Sequence, residues 1–452
     1  MHLEVDMQSS LHLVAGLGKT GYSIARYLSR RNLPFVAFDT RANLAGVDEF
    51  RNEFPGVDVF LGQFPKSLYS QLSGIISSPG VSLDEPIFQD ALEMGIPVFG
   101  DIDCLAREVD APIIAITGTN GKSTVTTLVG EMAKASGLSV AVAGNIGLPV
   151  LDILDVGVRY DLWVLELSSF QLDLTYSLAP LAATILNITP DHLDRHHTLE
   201  AYAKAKQRIY RKAEILLYNR KDQQTFPDAS LGGRRLVSYG LDAPEGDHWG
   251  LINKNGINYI AHGQECLLPV DVLHIRGKHN WLNAIAACAL ADAAGIEPSF
   301  MTEVLQRFAG LPHRSQWVRT IDGVDWVNDS KGTNVGATIS SIAGIGDSIE
   351  GRIVLIAGGQ GKGADFSDLR QPVADYVRTV VLIGEDAPKI EKALSGIAPI
   401  FHASSLDDAI HVAKSHAKQG DVVLLSPACA SFDMFRDFNH RGDDFIAAVN
   451  AL

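Results

Sequence analysis

The chain has 452 residues, with 46% apolar and 20% charged residues, and carries 38 Lys and Arg against 53 Asp and Glu, a formal net charge of −15. That balance disfavours a sequence-independent grip on nucleic acid or on an anionic membrane, since both need clustered cations, and leaves any anionic ligand to be held by local geometry. The length exceeds one ordinary core and predicts about three folded domains, at roughly 100 to 200 residues each. Cys104, Cys266, Cys288 and Cys429 form no CxxC pair, so neither a disulfide nor a zinc framework is supported. The start, "MHLEVDMQSS", has no basic segment leading into an apolar one, and no apolar run approaches the ~20 residues of a membrane span. A cytoplasmic protein with no membrane or nucleic-acid partner is expected.

Short apolar runs alternate with stretches of helical period, the pattern of an α/β chain whose parallel sheets are covered by helices on both faces. In the first block "LHLVA" (11–15), "PFVAFD" (34–39) and "GIISSPG" (74–80) read as strands or strand ends, with a helix over 21–32. Gly16, Gly18 and Gly21 stand in the spacing of a dinucleotide fingerprint, and Asp39 closes the next apolar run. Such glycines let a backbone approach a diphosphate closely. A nicotinamide dehydrogenase is one reading of that loop.

The second block starts near residue 101, with strands at "APIIAIT" (111–117), "DLWVLEL" (161–167) and "ATILNIT" (183–189) and a helix over 123–137. "ITGTNGKST" (116–124) links the first of these strands to the helix. Amides in a Gly-rich turn and at a helix N-terminus point at an anion, so this is read as a phosphate loop. Lys122 would reach the outer phosphates, and the Ser123 or Thr124 hydroxyl would meet Mg²⁺. Ile116 occupies the place where the common motif has Gly. Such a loop needs a second metal-side acid, and Glu166 at the end of "DLWVLE" is placed for it, unless it is an edge-of-strand surface carboxylate. "NITPDHLDRHH" (187–197) holds Asp191, His192, Asp194, His196 and His197, which suit a divalent ion or a solvated loop. "LEAYAKAKQRIY" (199–210) reads as an amphipathic helix with Lys204 and Lys206 on a solvated face. The third block begins near "LPHR" (311–314) and contains the strands "RIVLIAGG" (352–359), "TVVLIGE" (379–385) and "DVVLLSP" (421–427), with a helix over 406–420.

Taken together, "GTNGKST", "LELSSFQLD", "NITPDHLDRH", "AKAKQRIY", "KHNWLNAIAA", "GLPHR" and "NDSKGTN" resemble the Mur ligase family in order and spacing, from about residue 11 to about 446. "VNDSKGTN", "GGQGKGADF" and "LSPACASFDMF" are similar to the branch that adds D-glutamate, and the "DNPR"-like motif usual in the branch that adds a diamino acid is absent. The resemblance implies an N-terminal Rossmann-like domain (1–100) for a UDP-linked substrate, a central P-loop ATPase-like domain (101–310) and a C-terminal Rossmann-like domain (311–452) for the amino acid. It implies a monomeric ligase of cytoplasmic peptidoglycan precursor synthesis, and so of cell shape and division. Its substrates would be ATP, UDP-N-acetylmuramoyl-L-alanine and D-glutamate. Two Mg²⁺ and a CO₂-derived carboxylation of Lys206 accompany it.

Residue by residue, the resemblance puts Lys122, Glu166, His192 and Lys206 in catalysis and Ser123, Glu166, His192 and Lys206 on metal. ATP falls to Gly118, Thr119, Asn120, Gly121, Lys122, Ser123, Thr124, Asn280, Arg314 and Asp329, with Asn283 structural and Lys331 facing the active site. The UDP substrate falls to Gly18, Lys19, Thr20, Asp39, Thr40, Arg41, Ser78, Gly80 and Asn145, and D-glutamate to Lys362, Thr333, Ser431 and Phe438. A dicarboxylic amino acid needs cationic and hydroxyl donors, which makes Lys362 and Ser431 chemically sensible. A hinge is expected at "AGLPHR" (309–314). Three other readings are open: a folate-type ligase of the same fold, which the first domain argues against, the dehydrogenase, which leaves the phosphate loop unexplained, and a non-catalytic nucleotide-binding regulator.

Overall fold

The computed structural model describes residues 11–452 except Arg276, Ser348, Lys362 and the side chain of Asp194. The Lys362 assignment therefore lies outside the described residues. The chain divides into two compact units: Met1–Ile188, His192–Ser238 and Ala287–Phe300 form the first, and Thr189–Asp191, Tyr239–Ala286 and Met301–Leu452 the second. No helix among the described residues is long and apolar enough to cross a membrane.

The first unit begins with a parallel sheet of β1 (Leu11–Ala15), β2 (Phe35–Asp39), β3 (Val59–Leu61), β4 (Leu72–Ser77) and β5 (Val98–Gly100), in the order β3-β2-β1-β4-β5. Alternate residues of β1 feed opposite faces: Val14 joins one apolar cluster, and Leu13 and Ala15 join another. Burial on both faces is why these strands read as continuous apolar runs. The predicted helix over 21–32 forms as Lys19–Arg30, starting directly after Gly18.

The same unit continues with β6 (Ile113–Thr117), β7 (Val140–Gly144), β8 (Leu162–Glu166), β9 (Ala182–Ile185), β10 (Ile215–Asn219) and β11 (Arg235–Tyr239). Its order is β11-β10-β9-β6-β8-β7, so β6 lies between β9 and β8, with Ile116 level with Glu166. β9 stops at Ile185, four residues short of the predicted end. From Leu186 the chain turns to brace the loop after β6, where the Leu186 N–H donates to the Thr117 carbonyl.

The second unit contains an antiparallel meander of β12 (Trp249–Lys254), β13 (Ile257–His262) and β14 (Glu265–Pro269). It also holds a sheet of β15 (Gln316–Ile321), β16 (Val324–Asn328), β17 (Ile353–Gly358), β18 (Val377–Ile383), β19 (Ile400–His402) and β20 (Val422–Leu425), ordered β15-β16-β20-β17-β18-β19. Only the β15–β16 pair of that sheet is antiparallel. Along β17, Ile353, Leu355 and Ala357 enter one core cluster and Val354 and Ile356 the other. In the segment expected to hinge, Gly310 and His313 have left-handed backbones, at φ 95° and 62°, as does Ser315 just after it, at 41°.

Candidate functional site

The carboxyl ends of β1, β2 and β4 bring the first glycine loop, Asp39–Arg41 and Ser78–Gly80 to one edge of the first sheet. This is where ligands bind in open parallel sheets. The three glycines divide their work. Gly16 turns the chain at φ 88°, and a Cβ on Gly21 would stand 1.8 Å from the Gly16 carbonyl oxygen, so these two let helix and strand close on each other. Gly18 has no neighbouring atom within 4 Å of its would-be Cβ, and it precedes a helix with no side-chain cap. The first-turn amides there are suited to a diphosphate. Lys19 is exposed and Thr20 half-buried at the same turn.

Asp39 accepts from the Leu17 N–H at 2.9 Å and from Arg41 Nε and Nη2 at 2.7 and 2.8 Å. Burial pushes its carboxyl up, but the bonds from Arg41 and from the Leu17 and Arg41 amides outweigh this and hold it below the usual carboxylate range. Both oxygens are thus engaged within the protein, whereas a dehydrogenase needs this acid on a ribose. The Arg41 side chain, 58% exposed, presents the remaining donors. Thr40 is half-buried beside it, and the Ser78 N–H donates to the Ala15 carbonyl, which sets Ser78 against Gly16.

The second glycine loop joins β6 to the helix Lys122–Ala135, with Gly121 in a left-handed conformation at the helix start. Ile116 is fully buried within β6, so the loop turns at Gly118 instead of at the usual first position. Asn187 locks the loop from β9. Its Oδ1 accepts the Asn120 N–H at 2.8 Å, its Nδ2 donates to the Asn120 carbonyl at 3.0 Å, and its own carbonyl accepts the Thr119 N–H at 2.9 Å. Lys122 Nζ donates to the carbonyls of Gly118 and Thr119 at 2.9 and 2.8 Å. Ser123 and Thr124 are buried on the same turn.

Glu166 ends the strand next to this loop and is 2% exposed. One oxygen, Oε1, accepts from Asn145 Nδ2 at 2.9 Å, while the other, Oε2, is buried without a hydrogen-bond partner. An orphaned carboxylate oxygen at the end of the strand that neighbours this loop fits Mg²⁺, a hard ion that takes one or two protein oxygens and fills its shell with water and phosphate. Among the described residues no cluster of three or more His, Cys, Asp or Glu could hold a metal. Asn145, expected with the UDP substrate, stands beside Glu166 at the end of β7.

Burial separates the two lysines that periodicity placed together. Lys204 is exposed, whereas Lys206 is 1% exposed. Lys206 Nζ donates to the Gly118 carbonyl at 2.9 Å and to Thr117 Oγ1 at 3.2 Å, and lies 4.6 Å from the Tyr202 ring centre. Lys206 therefore belongs to the phosphate loop, and the solvated-face reading of it is corrected. His192 takes a left-handed backbone at φ 53° and sets its ring 5.0 Å from Phe170 and 6.4 Å from Tyr202. Its loop wraps Phe170: His196 stacks on that ring and meets Ser169 Oγ at 2.9 Å, and the Arg195 guanidinium lies 4.5 Å from it. Arg195 also donates to the carbonyls of Gly80 and Val81 at 3.2 Å each. His197 is exposed and lies 3.5 Å from Asp84, away from this ring cluster. Asn187, Phe170, Arg195 and Tyr202 escaped the sequence reading. Tyr202 alone had a local signal, one helical turn before Lys206.

In the second unit Asp329 is buried, accepting from Ser341 and Ser426 hydroxyls at 2.6 and 2.7 Å and from the Ser315 N–H at 3.0 Å. Burial raises its pKa, and these bonds and Arg314 only partly offset that. Lys331 Nζ lies 3.7 Å over the Phe438 ring. Arg441, 1% exposed, ties this region together through Ser330 and the Cys429 carbonyl, and burial lowers its pKa to about 10. Thr333 is half-buried two residues after Lys331, and Ser431 is buried two residues after Cys429. Asn283 Nδ2 donates to Asn280 Oδ1 at 3.2 Å, which pairs the two asparagines of "KHNWLN".

Family models match nearly the whole chain: "Mur ligase MurD-like, N-terminal domain" over residues 10–100, "Mur ligase middle domain" over 116–291 and "Mur ligase, glutamate ligase domain" over 313–429. A protein of Legionella pneumophila named UDP-N-acetylmuramoylalanine--D-glutamate ligase is 64% identical over 99% of this chain and 100% of its own length. One of the same name from Hahella chejuensis is 48% identical over 97% of this chain and 98% of its own. Among solved structures, a pseudomurein peptide ligase type C from Methanothermus fervidus aligns with a TM-score of 0.61 at 19% identity, covering 98% of this chain and 100% of that one. UDP-N-acetylmuramate-alanine ligase from Thermotoga maritima aligns at 0.58 and 19% identity, covering 98% and 99%. At such identities these two show the shared three-domain α/β fold alone. With full-length relatives at up to 64% identity and all three domain models in order, the chain belongs to the Mur ligase family.

Proposed function

We propose that this chain is the ATP-dependent ligase that joins D-glutamate to the L-alanyl carboxylate of UDP-N-acetylmuramoyl-L-alanine, as a cytoplasmic monomer with domains at 1–100, 101–310 and 311–452. The observation that carries the reading is the phosphate loop of 118–122 set beside a buried carboxylate, Glu166, with one unpartnered oxygen. The names of the full-length relatives select the substrates.

A carboxylate is a poor electrophile, so it must first take the γ-phosphoryl group of ATP. ADP leaves, the amine of D-glutamate attacks the acyl phosphate, and phosphate departs as the amide forms. Phosphoryl transfer of this kind is catalysed mainly by positioning and charge. The loop amides and Lys122 hold the phosphates, and Ser123 and Glu166 would hold Mg²⁺, with His192 and Lys206 facing a second ion. Bound there, Mg²⁺ neutralises phosphate charge. Gly18, Lys19, Thr20 and Arg41, with Ser78 and Gly80, receive the diphosphate and uridine, and Asp39 orients Arg41. Asn280, Arg314 and Asp329 serve ATP, while Lys362, Thr333, Ser431 and Phe438 serve D-glutamate.

Lys206 fits this scheme as a carbamate: its neutral amine adds to CO₂ and releases one proton, turning a cation into an anionic ligand. Its burial against Tyr202 and the phosphate loop, with Nζ on the Gly118 carbonyl and Thr117 Oγ1, supports that role. Protein equilibrated with ¹³C-labelled bicarbonate should show one carbamate resonance that Lys206→Arg removes, and an unchanged spectrum would exclude the modification. The ligase reading itself predicts phosphate release from ATP and Mg²⁺ only when both UDP-N-acetylmuramoyl-L-alanine and D-glutamate are present, with L-glutamate inert. Folded protein that releases none would refute it.

A further inference from the structure

We infer that Asn145 is a positioning residue that fixes which oxygen of Glu166 faces the metal. The inference rests on the ligase reading above, because it presumes that Glu166 meets a metal–nucleotide complex. β7 and β8 run parallel, and Gly144 lies level with Glu166. Gly144 has φ 107°, and a Cβ there would stand 2.1 Å from the Glu166 carbonyl oxygen, so only glycine lets the two backbones come this close. The following residue then holds Glu166 at two points. The Asn145 N–H donates to the Glu166 carbonyl at 2.8 Å, and Asn145 Nδ2 donates to Oε1 at 2.9 Å.

The consequence is an asymmetric carboxylate. Oε1 is occupied by an amide and Oε2 is buried without a partner, so the side chain is held in one rotamer with a single oxygen left to bind. A carboxylate without this brace would sample other rotamers and lose order on each binding event. Partners that orient metal ligands are commonly worth about 10- to 100-fold in metal affinity. Asn145 is exposed, so its remaining polar atoms reach solvent, and contact with the UDP substrate is the competing assignment.

Two variants separate the assignments. Asn145→Ala removes the donor, and Asn145→Asp keeps the shape but turns an oxygen toward Oε1. Mn²⁺ affinity would be read by electron paramagnetic resonance with a non-hydrolysable ATP analogue, and UDP-N-acetylmuramoyl-L-alanine affinity by calorimetry without metal or nucleotide. Both variants are expected to weaken Mn²⁺ binding about 10- to 100-fold with no UDP substrate present, and to keep the melting temperature of the parent. Unchanged Mn²⁺ affinity, a loss confined to the UDP substrate, or unfolding of both variants would overturn the proposal. Failure of the unaltered protein to bind Mn²⁺ with nucleotide would instead reject the ligase reading beneath it.

Discussion

Lys122→Ala is expected to lower phosphate release by about 10³-fold, equivalent to about 4 kcal/mol of lost transition-state stabilisation. The ammonium is held at the mouth of the phosphate loop by the Gly118 and Thr119 carbonyls at 2.9 and 2.8 Å. Phosphoryl transfer spreads negative charge over oxygens that must be met by fixed cations and amides, and this side chain is the cation the loop supplies. The fold does not depend on it, since the loop is anchored separately by Asn187 through Asn120 and Thr119. Turnover should therefore fall with little change in melting temperature. Lys122→Arg should recover only a small part, because a planar fork does not replace a compact point charge on a flexible stem. Turnover of the alanine variant within tenfold of the parent would show that Lys122 does not serve the transferred phosphate.

The second large effect separates two glycines of the first loop. Gly21→Ala should cost about 3 kcal/mol of stability by overpacking, because its Cβ would meet the Gly16 carbonyl oxygen at 1.8 Å and the carbonyl carbon at 2.9 Å, backbone atoms that cannot rotate aside. Gly18→Ala should leave stability within about 0.5 kcal/mol, since its Cβ meets nothing within 4 Å and its φ of −88° suits any residue. With the diphosphate at the helix start as proposed, the added methyl group would stand in its way, so affinity for UDP-N-acetylmuramoyl-L-alanine should fall about tenfold or more. Urea unfolding and calorimetry read the two effects. Unaltered substrate binding in Gly18→Ala would move the diphosphate away from this loop.

Much of this was legible from residue patterns, for a physical reason. Strands buried on both faces, such as β17, alternate between two apolar clusters and so appear as unbroken apolar runs. The three-residue strands β3, β5 and β19 carry too little period to be seen, and β9 was read too long because "LNIT" continues its composition while its backbone turns away to hold the phosphate loop. At the site, Gly118–Lys122 announced themselves by spacing, but what braces them did not. Asn187, Phe170 and Arg195 act through tertiary contacts that no local pattern encodes. Lys206 shows the limit most clearly. Helical period placed it with Lys204 on a solvated face; the family resemblance set it apart, and the packing of Tyr202 and the phosphate loop around it gives the physical reason. Asp39 was found as a residue, but its engagement by Leu17 and Arg41, which argues against the ribose contact of a dehydrogenase, needed three dimensions.

The central claim is that ATP activates a carboxylate of the UDP substrate for attack by D-glutamate. It is tested most directly by running the phosphate-release assay with UDP-N-acetylmuramoyl-L-alanine carrying oxygen-18 in its terminal carboxylate. An acyl phosphate requires the departing phosphate to retain one carboxylate oxygen, so one labelled atom should appear in each phosphate released. Unlabelled phosphate, with both labels left on the substrate, would contradict the account.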